Sequence, residues 1–365
     1  MACGFWEDED SMSIALVRTL PENDWRCFVE QHPAGNIFHT PEMFQVFARV
    51  GGHRPTLWAV VDDGRYPLAL LLPVEITLKG GLLYRWTTRA VAYGSVLCAP
   101  GPDGIDALRM LVQAYRREMR GKILFTELRN LADLSELQPA LNECDFVFEE
   151  HLNYLIDLDQ PAETLWRRIT KSGRQSVRTS QNKGTLIEEV TERHQLAIAY
   201  QLLQEVYVRV RVPLASFPLF EAAWDILAPR GMFKVFMARA NDQYIGTCLL
   251  LIYNGRIIDW YAGSDRAFST YCSGESLIWH ALQWGKEHGL HVFDFGGAGK
   301  PDEDYGPRRF KAKFNGAPVN YGRNICVHAP LSLSVSKAGY LAMRKILPLR
   351  SRAHARSDVI TVEKT

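Results

Sequence analysis

Apolar positions along the chain repeat at two spacings. Runs at Thr56–Val61 and Tyr66–Ile76 predict strands, joined by the turn Asp62-Asp63-Gly64. Ile105, Leu108, Leu111, Val112 and Tyr115 recur at helical spacing, which predicts a helix over Gly104–Met119. Ile123–Leu128 then reads as a buried strand. The second half repeats this order. Phe233–Ala240, Tyr244–Tyr253 and Arg256–Ala262 predict strands, with a turn at Asn241-Asp242. Leu277, Ile278, Ala281, Leu282 and Trp284 mark a helix over Glu275–Glu287, and His291–Phe295 closes as a strand.

The two hairpins align, Trp58–Tyr66 over Phe236–Tyr244, at an offset of 178 residues, and Phe125 lies over Phe293 at an offset of 168. The expected fold is α/β, with mixed sheets, built by degenerate duplication of one α/β unit. At ~150 residues per domain, 365 residues make two. The expected domains are 12–158 and 159–330, the second opening on a long helical stretch from Ala162. A final helix, 331–348, would return to the first domain and stop at Pro348. A basic tail, 349–365, would follow; Arg344–Arg356 holds five Lys or Arg and no acid. Such a tail is a solvated terminus that can touch anionic lipid.

Composition narrows the function classes. Hydrophobic residues make up 47% of the chain, enough for two cores, and 42 basic against 41 acidic residues leave a net charge of +1. Any anion site must therefore be a local patch, and DNA is not expected as a partner. No run approaches the ~18 apolar residues of a membrane span. The acidic start, with Glu7, Asp8, Glu9 and Asp10, is unlike a secretory signal. Seven scattered cysteines without a CxxC pair predict reduced thiols, a cytoplasmic setting and no zinc site. Asp302, Glu303 and Asp304 sit in a Gly/Pro-rich loop and point apart, so a solvated loop is expected there instead of a metal site. Walker, GxSxG, HExxH and GxGxxG patterns are absent from the sequence.

Three segments carry candidate chemistry. Leu165–Arg178 reads as one helix, with Arg167, Lys171, Arg174 and Arg178 on one stripe at i, i+4, i+7 and i+11. That stripe suits phosphate or RNA, or a solvated face. Tyr207–Pro213 places Arg209 and Arg211 side by side if extended, either as a phosphate or carboxylate clamp or as surface arginines. In Phe293–Gly316 a strand ends in a glycine-rich loop that runs into Arg308, Arg309, Lys311 and Lys313. Glycines admit a ligand close to the backbone, and strand ends are where α/β proteins place ligands. Lys311 lies between Phe310 and Phe314, where partial desolvation can poise a lysine for catalysis.

Phe310-Lys-Ala-Lys-Phe-Asn-Gly316, followed by Val319-Asn-Tyr-Gly-Arg323, resembles the FK-x-x-FGG signature of the Fem-type aminoacyltransferases, which add amino acids to peptidoglycan precursors. Arg174-Gln-Ser-Val-Arg178 resembles the R-x-x-I-R helix of that family, and Tyr261-Ala-Gly-Ser-Asp265 its Y-x-G-S strand end. Asn36–Phe44 is similar to its opening F-x-x-P-x-W/F segment, so the likeness runs from about 36 to 340. The resemblance implies two tandem GCN5-related acetyltransferase (GNAT) domains. It implies an aminoacyl-tRNA donor, no cofactor, and an acceptor amine on a nucleotide- or lipid-linked envelope precursor. The reaction would be cytoplasmic, with peripheral contact at the inner face of the membrane. It places a catalytic-site lysine on Lys311 beside Phe310, and acceptor contacts on Arg209 and Tyr261, with Arg174, Arg178 and Lys171 as further substrate-binding residues. Asn315 stands where the signature has a glycine, and no coiled-coil arm is visible between helices.

Acyl transfer to an amine needs a deprotonated nucleophile, a nearby carbonyl and a stabilised oxyanion. No Ser-His-Asp or Cys-His signature is present, so direct attack is expected, with Lys311 as the cation on the oxyanion or leaving group. Asp294 is a capping residue or a partner to it. An acetyl-CoA enzyme of the GNAT fold carries R/Q-x-x-G-x-G/A before a helix, where backbone N–H groups hold the pyrophosphate. Here that place reads Tyr271-Cys-Ser-Gly-Glu-Ser276, and in the first half Cys98-Ala-Pro-Gly-Pro-Asp-Gly104. Neither is a good CoA loop. Three functions remain open: aminoacyl or acyl transfer to an envelope precursor, acyl-CoA-dependent N-acylation of an amino sugar or small amine, and non-catalytic binding of a lipid-linked glycan.

Overall fold

The computed structural model describes residues 13–77, 84–210 and 212–335. The acidic start, Arg211, the expected helix beyond residue 335 and the basic tail lie outside them.

In the first half, β1 (Ala15–Val17) leads into α1 (Glu22–Gln31) and α2 (Pro41–Ala48). Strands β2 (His53–Pro55), β3 (Trp58–Val61), β4 (Pro67–Leu71) and β5 (Val74–Thr77) follow. The expected strand Tyr66–Ile76 is thus divided, because Pro73 interrupts the ladder. Next come α3 (Tyr84–Thr87), β6 (Thr88–Ala92), β7 (Val96–Cys98), α4 (Pro102–Met119), β8 (Phe125–Arg129), α5 (Gln138–Asn142) and β9 (Val147–Glu149).

The second half runs β10 (Asn153–Asp157), α6 (Ala162–Arg168), α7 (Lys171–Asn182), β11 (Leu186–Glu189), α8 (Gln195–Val210) and α9 (Phe217–Leu227). It continues with β12 (Phe233–Ala240), β13 (Gln243–Tyr253), β14 (Arg256–Ser264), α10 (Ser273–Glu287) and β15 (Val292–Asp294). It closes with α11 (Gly306–Ala312), β16 (Ala317–Val319) and β17 (Arg323–Val327). The chain turns helical again at 330–335.

Among the described residues the strands form three sheets, ordered β1-β3-β4-β7, β2-β5-β6-β8-β17-β9 and β11-β12-β13-β14-β15-β10-β16. The fold is mixed α/β. Parallel pairs are β6–β8 and β14–β15, each bridged by a helical crossover, α4 or α10. The run β6-β8-β17-β9 corresponds to β14-β15-β10-β16, so each half lends one strand to the other's sheet. β10 pairs with β15 and β16, while β17 pairs with β8 and β9. The expected division at 158/159 therefore cuts just after a strand, β10, that already belongs to the seven-stranded sheet of the second half. Likewise 323–327, expected within the second domain, complete the first. The reason is edge pairing: β8 and β15 each have an open side that the exchanged strand satisfies.

Each half has its own core, around Trp58 and Tyr115 in the first and Phe236 and Phe293 in the second. A further cluster joins the halves, packing Phe38, Met43 and Phe47 against Leu203, Phe220 and Val235. This apolar seam fixes the halves against each other.

Candidate active site

The site starts where β14 and β15 part. The two strands pair in parallel over Arg256–Ile258 and Val292–Asp294. Beyond Asp294 the chain turns away through Gly296 and Gly297, whose φ values are +75° and +136°. Both fall where a side chain would strain the backbone. A Cβ on Gly296 would also lie 3.2 Å from the Asp259 carbonyl oxygen, so β14 and the loop approach closely here.

Asp294 is fully buried and organises the turn. Its Oδ1 accepts from Asn153 Nδ2 at 2.6 Å and from the Gly296 amide at 2.7 Å, and Arg256 donates to Oδ2 at 3.4 Å. Burial raises its pKa, against the pull of these donors. Asp294 is the cap of this loop, tying β10, β14 and β15 together.

Lys311 reaches the same loop from α11. Its ammonium donates to the carbonyls of Phe295 at 2.5 Å and Gly297 at 2.6 Å. A lysine carries three N–H donors, so one remains for a ligand. Burial lowers its pKa, while Asp259 and Asp294 favour the charged form. Asp259 on β14 faces this ammonium's field. Its Oδ1 is buried without a hydrogen-bond partner among the described residues. Burial pushes its pKa up to about 6, with Asp294 adding and Lys311 opposing. The pair therefore holds a poised carboxylate beside a partly desolvated ammonium.

Aromatic rings wall the pair. Tyr207 lies 5.9 Å from Tyr261, ring to ring, and Tyr261 meets Phe220 edge-on at 4.9 Å. Burial and the charge of Asp259 push the Tyr207 phenol up to about 12, and burial also raises Tyr261. Facing Tyr261 from the six-stranded sheet are Tyr93, just past β6, and Glu127 and Arg129 of β8, joined by Arg323 of β17. His151 completes the group: Arg323 donates to its Nε2 at 3.0 Å, and a Cβ on Gly297 would lie 3.2 Å from that nitrogen. Burial, with Arg323 and Arg129 adding, lowers the His151 pKa to about 4, so the ring is neutral at pH 7.

The other residues singled out in the sequence lie elsewhere. Phe310 packs over the start of α10, where a Cβ on Gly274 would meet its ring at 3.5 Å. Arg209 is exposed at the end of α8, two residues beyond Tyr207. The single basic helix over Leu165–Arg178 does not form. Ile169 and Thr170 are extended, with ψ of 135° and 157°, and Thr170 caps α7 by accepting from the Gly173 amide at 3.2 Å. A threonine cap competes with helix continuation, and burial of Ile169 fixes the bend. Arg167 is thereby removed from the stripe and pairs with Glu163 at 3.4 Å. Arg174 donates back to the carbonyls of Arg167 and Ile169, closing the end of α6. Arg178 lies over the Trp166 ring, while Lys171 is exposed at the start of α7.

Asp259, Tyr207, His151, Arg129 and Arg323 escaped the sequence reading. One signal was available for Asp259, a lone acid inside the apolar strand Arg256-Ile-Ile-Asp-Trp-Tyr261. Nothing in the sequence brings Arg129 to Arg323.

At the α10 N-terminus, Glu275 in the first turn is nearly buried and accepts from Lys313 at 2.7 Å. A carboxylate there takes up the favourable field of the helix end. In the first half, α4 opens with Pro102 and Asp103 after Gly101 at φ +91°. Neither start offers a clear pyrophosphate cradle. Asp302, Glu303 and Asp304 are exposed, and no cluster of three potential metal ligands occurs among the described residues.

Comparison with known proteins agrees with this architecture. Residues 167–311 match the model of the acetyltransferase (GNAT) domain. No curated protein matches the chain by sequence. Among solved structures, that of FemX superposes with a TM-score of 0.68 at 15% identity, covering 88% of this chain and 100% of that one. A tandem GNAT protein from the clavulanic acid biosynthesis pathway gives 0.56 at 11% identity, covering 87% and 99%. L-PGS from Bacillus licheniformis gives 0.55 at 15% identity, covering 88% and 97%. The chain thus carries a GNAT-type acetyltransferase domain over 167–311. That domain sits within a tandem fold similar to those of FemX and the clavulanic acid pathway protein.

Proposed function

We propose that the chain transfers an aminoacyl or acyl group to an amine of a cell-envelope precursor, in the cleft at Asp259 and Lys311. The observation that carries this reading is the half-buried Asp259, whose Oδ1 is enclosed without a hydrogen-bond partner among the described residues and whose carboxyl feels the charge of Lys311, where β14 and β15 diverge. At pH 7 a carboxyl with a pKa near 6 is mostly ionised and suits a general base. The acceptor amine attacks the donor carbonyl carbon and gives a proton to Asp259. The third N–H of Lys311 donates to the oxyanion. On collapse the acyl–oxygen bond of an aminoacyl ester breaks, or the acyl–sulfur bond of a thioester, and the proton on Asp259 returns to the leaving oxygen or sulfur. No acyl-enzyme forms.

An aminoacyl-tRNA donor is favoured over acyl-CoA by one feature. The Glu275 carboxylate, held by Lys313, occupies the first turn of α10, where a CoA pyrophosphate would dock. We take the acceptor as nucleotide- or lipid-linked, reached in the cytoplasm at the inner face of the membrane. No helix among the described residues is long and apolar enough to cross a membrane. The two halves, with β10 and β17 exchanged between them, each supply one wall of the cleft. Arg209, Lys171, Arg174 and Arg178 belong to an outer zone of substrate contact, with Tyr261 in the inner one.

Single-turnover assays with charged tRNA or acyl-CoA and lipid-linked precursor test the reading. Loss of transfer in Lys311→Ala and Asp259→Asn, with the precursor still bound, supports it. Turnover near that of the unmodified chain in both variants would sink it, and binding without any turnover would favour the glycan-binding module.

A further inference from the structure

Arg129 and Arg323 stand directly opposite each other across the β8–β17 pair. Like charges in that relation destabilise a sheet. One carboxylate answers both. Glu127 accepts from Arg129 at 3.3 Å on each oxygen and from Arg323 on Oε1. Burial of Glu127 raises its pKa, yet Arg129 and Arg323, with a smaller contribution from Arg89, hold it below the usual carboxylate range. Of the other neighbours of Arg323, His151 is neutral and accepts a hydrogen bond, and Glu149, opposite it on β9, is matched by Lys300 at 3.0 Å. The group thus carries one positive charge in excess within a part-buried cleft. Both guanidinium side chains stay open to the cleft, 33% and 29% exposed. Each guanidinium has five N–H donors, and only two on each are engaged among the described residues.

We infer that Arg129 and Arg323 form an oxyanion subsite for a carboxylate or phosphate group carried by the acceptor. The inference rests on the reading of Asp259 and Lys311 as the reacting centre. Position argues for the acceptor: the matched GNAT domain supplies the Lys311 wall, and the arginines stand on the opposite sheet. The link is short, since His151 touches Gly297, whose carbonyl holds Lys311. Two forked guanidinium groups suit a planar or tetrahedral oxyanion, which they bind bidentately. Glu127 occupies that role in the free protein, so a substrate anion competes with it.

Inorganic phosphate and sodium acetate, titrated separately into the full chain at constant ionic strength and followed by tryptophan fluorescence, test this. Saturation by phosphate identifies a phosphoryl group, and saturation by acetate a carboxylate. Glu127→Gln removes the competitor and is expected to tighten binding about threefold or more, whereas Arg323→Gln weakens it about tenfold. Arg323→Lys keeps the charge, preserves folding better and still weakens binding about threefold, because the fork is lost. Asp259→Asn abolishes turnover but leaves the anion affinity within about twofold, which separates this inference from the catalytic reading. Absence of saturation by both anions, weaker binding in Glu127→Gln, or unchanged binding in both Arg323 variants would overturn it.

Discussion

The Lys311 ammonium donates to the Gly297 carbonyl at 2.6 Å, so the residue that would meet the oxyanion also pins the glycine turn. Removing it has two separable effects. Lys311→Ala is expected to lower kcat by about 10²–10³-fold, the worth of one oxyanion donor. It should also loosen the turn at a cost of about 1–3 kcal/mol, because two buried carbonyls lose their partner. Stopped-flow single turnover and urea unfolding measure the two independently.

The carboxyl of Asp259 sets a pH dependence of rate. With a pKa of about 6 in the free enzyme, kcat/KM is expected to rise through pH 6 and level off above it. Asp259→Asn should abolish that limb along with most of the rate. A profile flat between pH 5 and 7 in the unmodified enzyme would remove Asp259 as base.

The same carboxyl affects stability in the opposite sense to most acids. Its folded pKa lies above the ordinary value of 3.8. Between pH 4 and 6 the unfolded chain ionises it while the folded chain keeps the proton, so stability falls as pH rises through that window. Asp259→Asn is therefore expected to stabilise the protein at pH 8 by up to about 3 kcal/mol, the worth of two pKa units.

Three histidines, His39 and His328 buried and His151 half-buried, act the other way. Burial, the largest influence on each, lowers His39 to about 3 and His151 and His328 to about 4. Stability from each is complete above the unfolded value of 6.5 and is lost as pH falls toward 4. Three such groups outweigh the two raised aspartates, Asp259 and Asp294, so the urea midpoint is expected to drop on acidification from pH 6.5. His328→Gln should flatten part of that drop.

Asn315 occupies a left-handed position, φ +52°, directly after Phe314. Asparagine tolerates that region and glycine prefers it, which accounts for this departure from the resembled signature. Asn315→Gly is expected to fold with stability within about 0.5 kcal/mol, and Asn315→Ala to lose about 1–2 kcal/mol. Thermal unfolding of the two variants makes the comparison.

Donor choice turns on the start of α10. If the Glu275 carboxylate repels a pyrophosphate, the unmodified chain is expected to show no calorimetric heat with CoA. Glu275→Gln should then gain measurable affinity. Saturable micromolar binding of CoA to the unmodified chain would move the donor assignment to acyl-CoA.

Much of the architecture was legible in the chain. Apolar spacing located the hairpins Trp58–Tyr66 and Phe236–Tyr244 and the crossover helices α4 and α10, because local patterning reflects burial on one face. Offsets between those segments showed the tandem. The FK segment pointed to Lys311, which the structure places on the glycine loop, and the Y-x-G-S segment to Tyr261, which packs against Tyr207. The basic helix was misread because the spacing of Arg167, Lys171, Arg174 and Arg178 carries no mark of the bend. That bend depends on Thr170 capping α7 and on its amide reaching the Lys313 carbonyl at 2.8 Å, 143 positions later.

The sequence by itself therefore determined the elements, their duplicated order and the lysine at the end of the glycine loop, all properties of neighbouring residues. Tertiary structure alone decided the strand exchange, the pairing of Arg129 with Arg323, and the burial of Asp259. Those depend on register and enclosure across the whole chain: a carboxyl's pKa and a guanidinium's excess charge are set by what surrounds them in space.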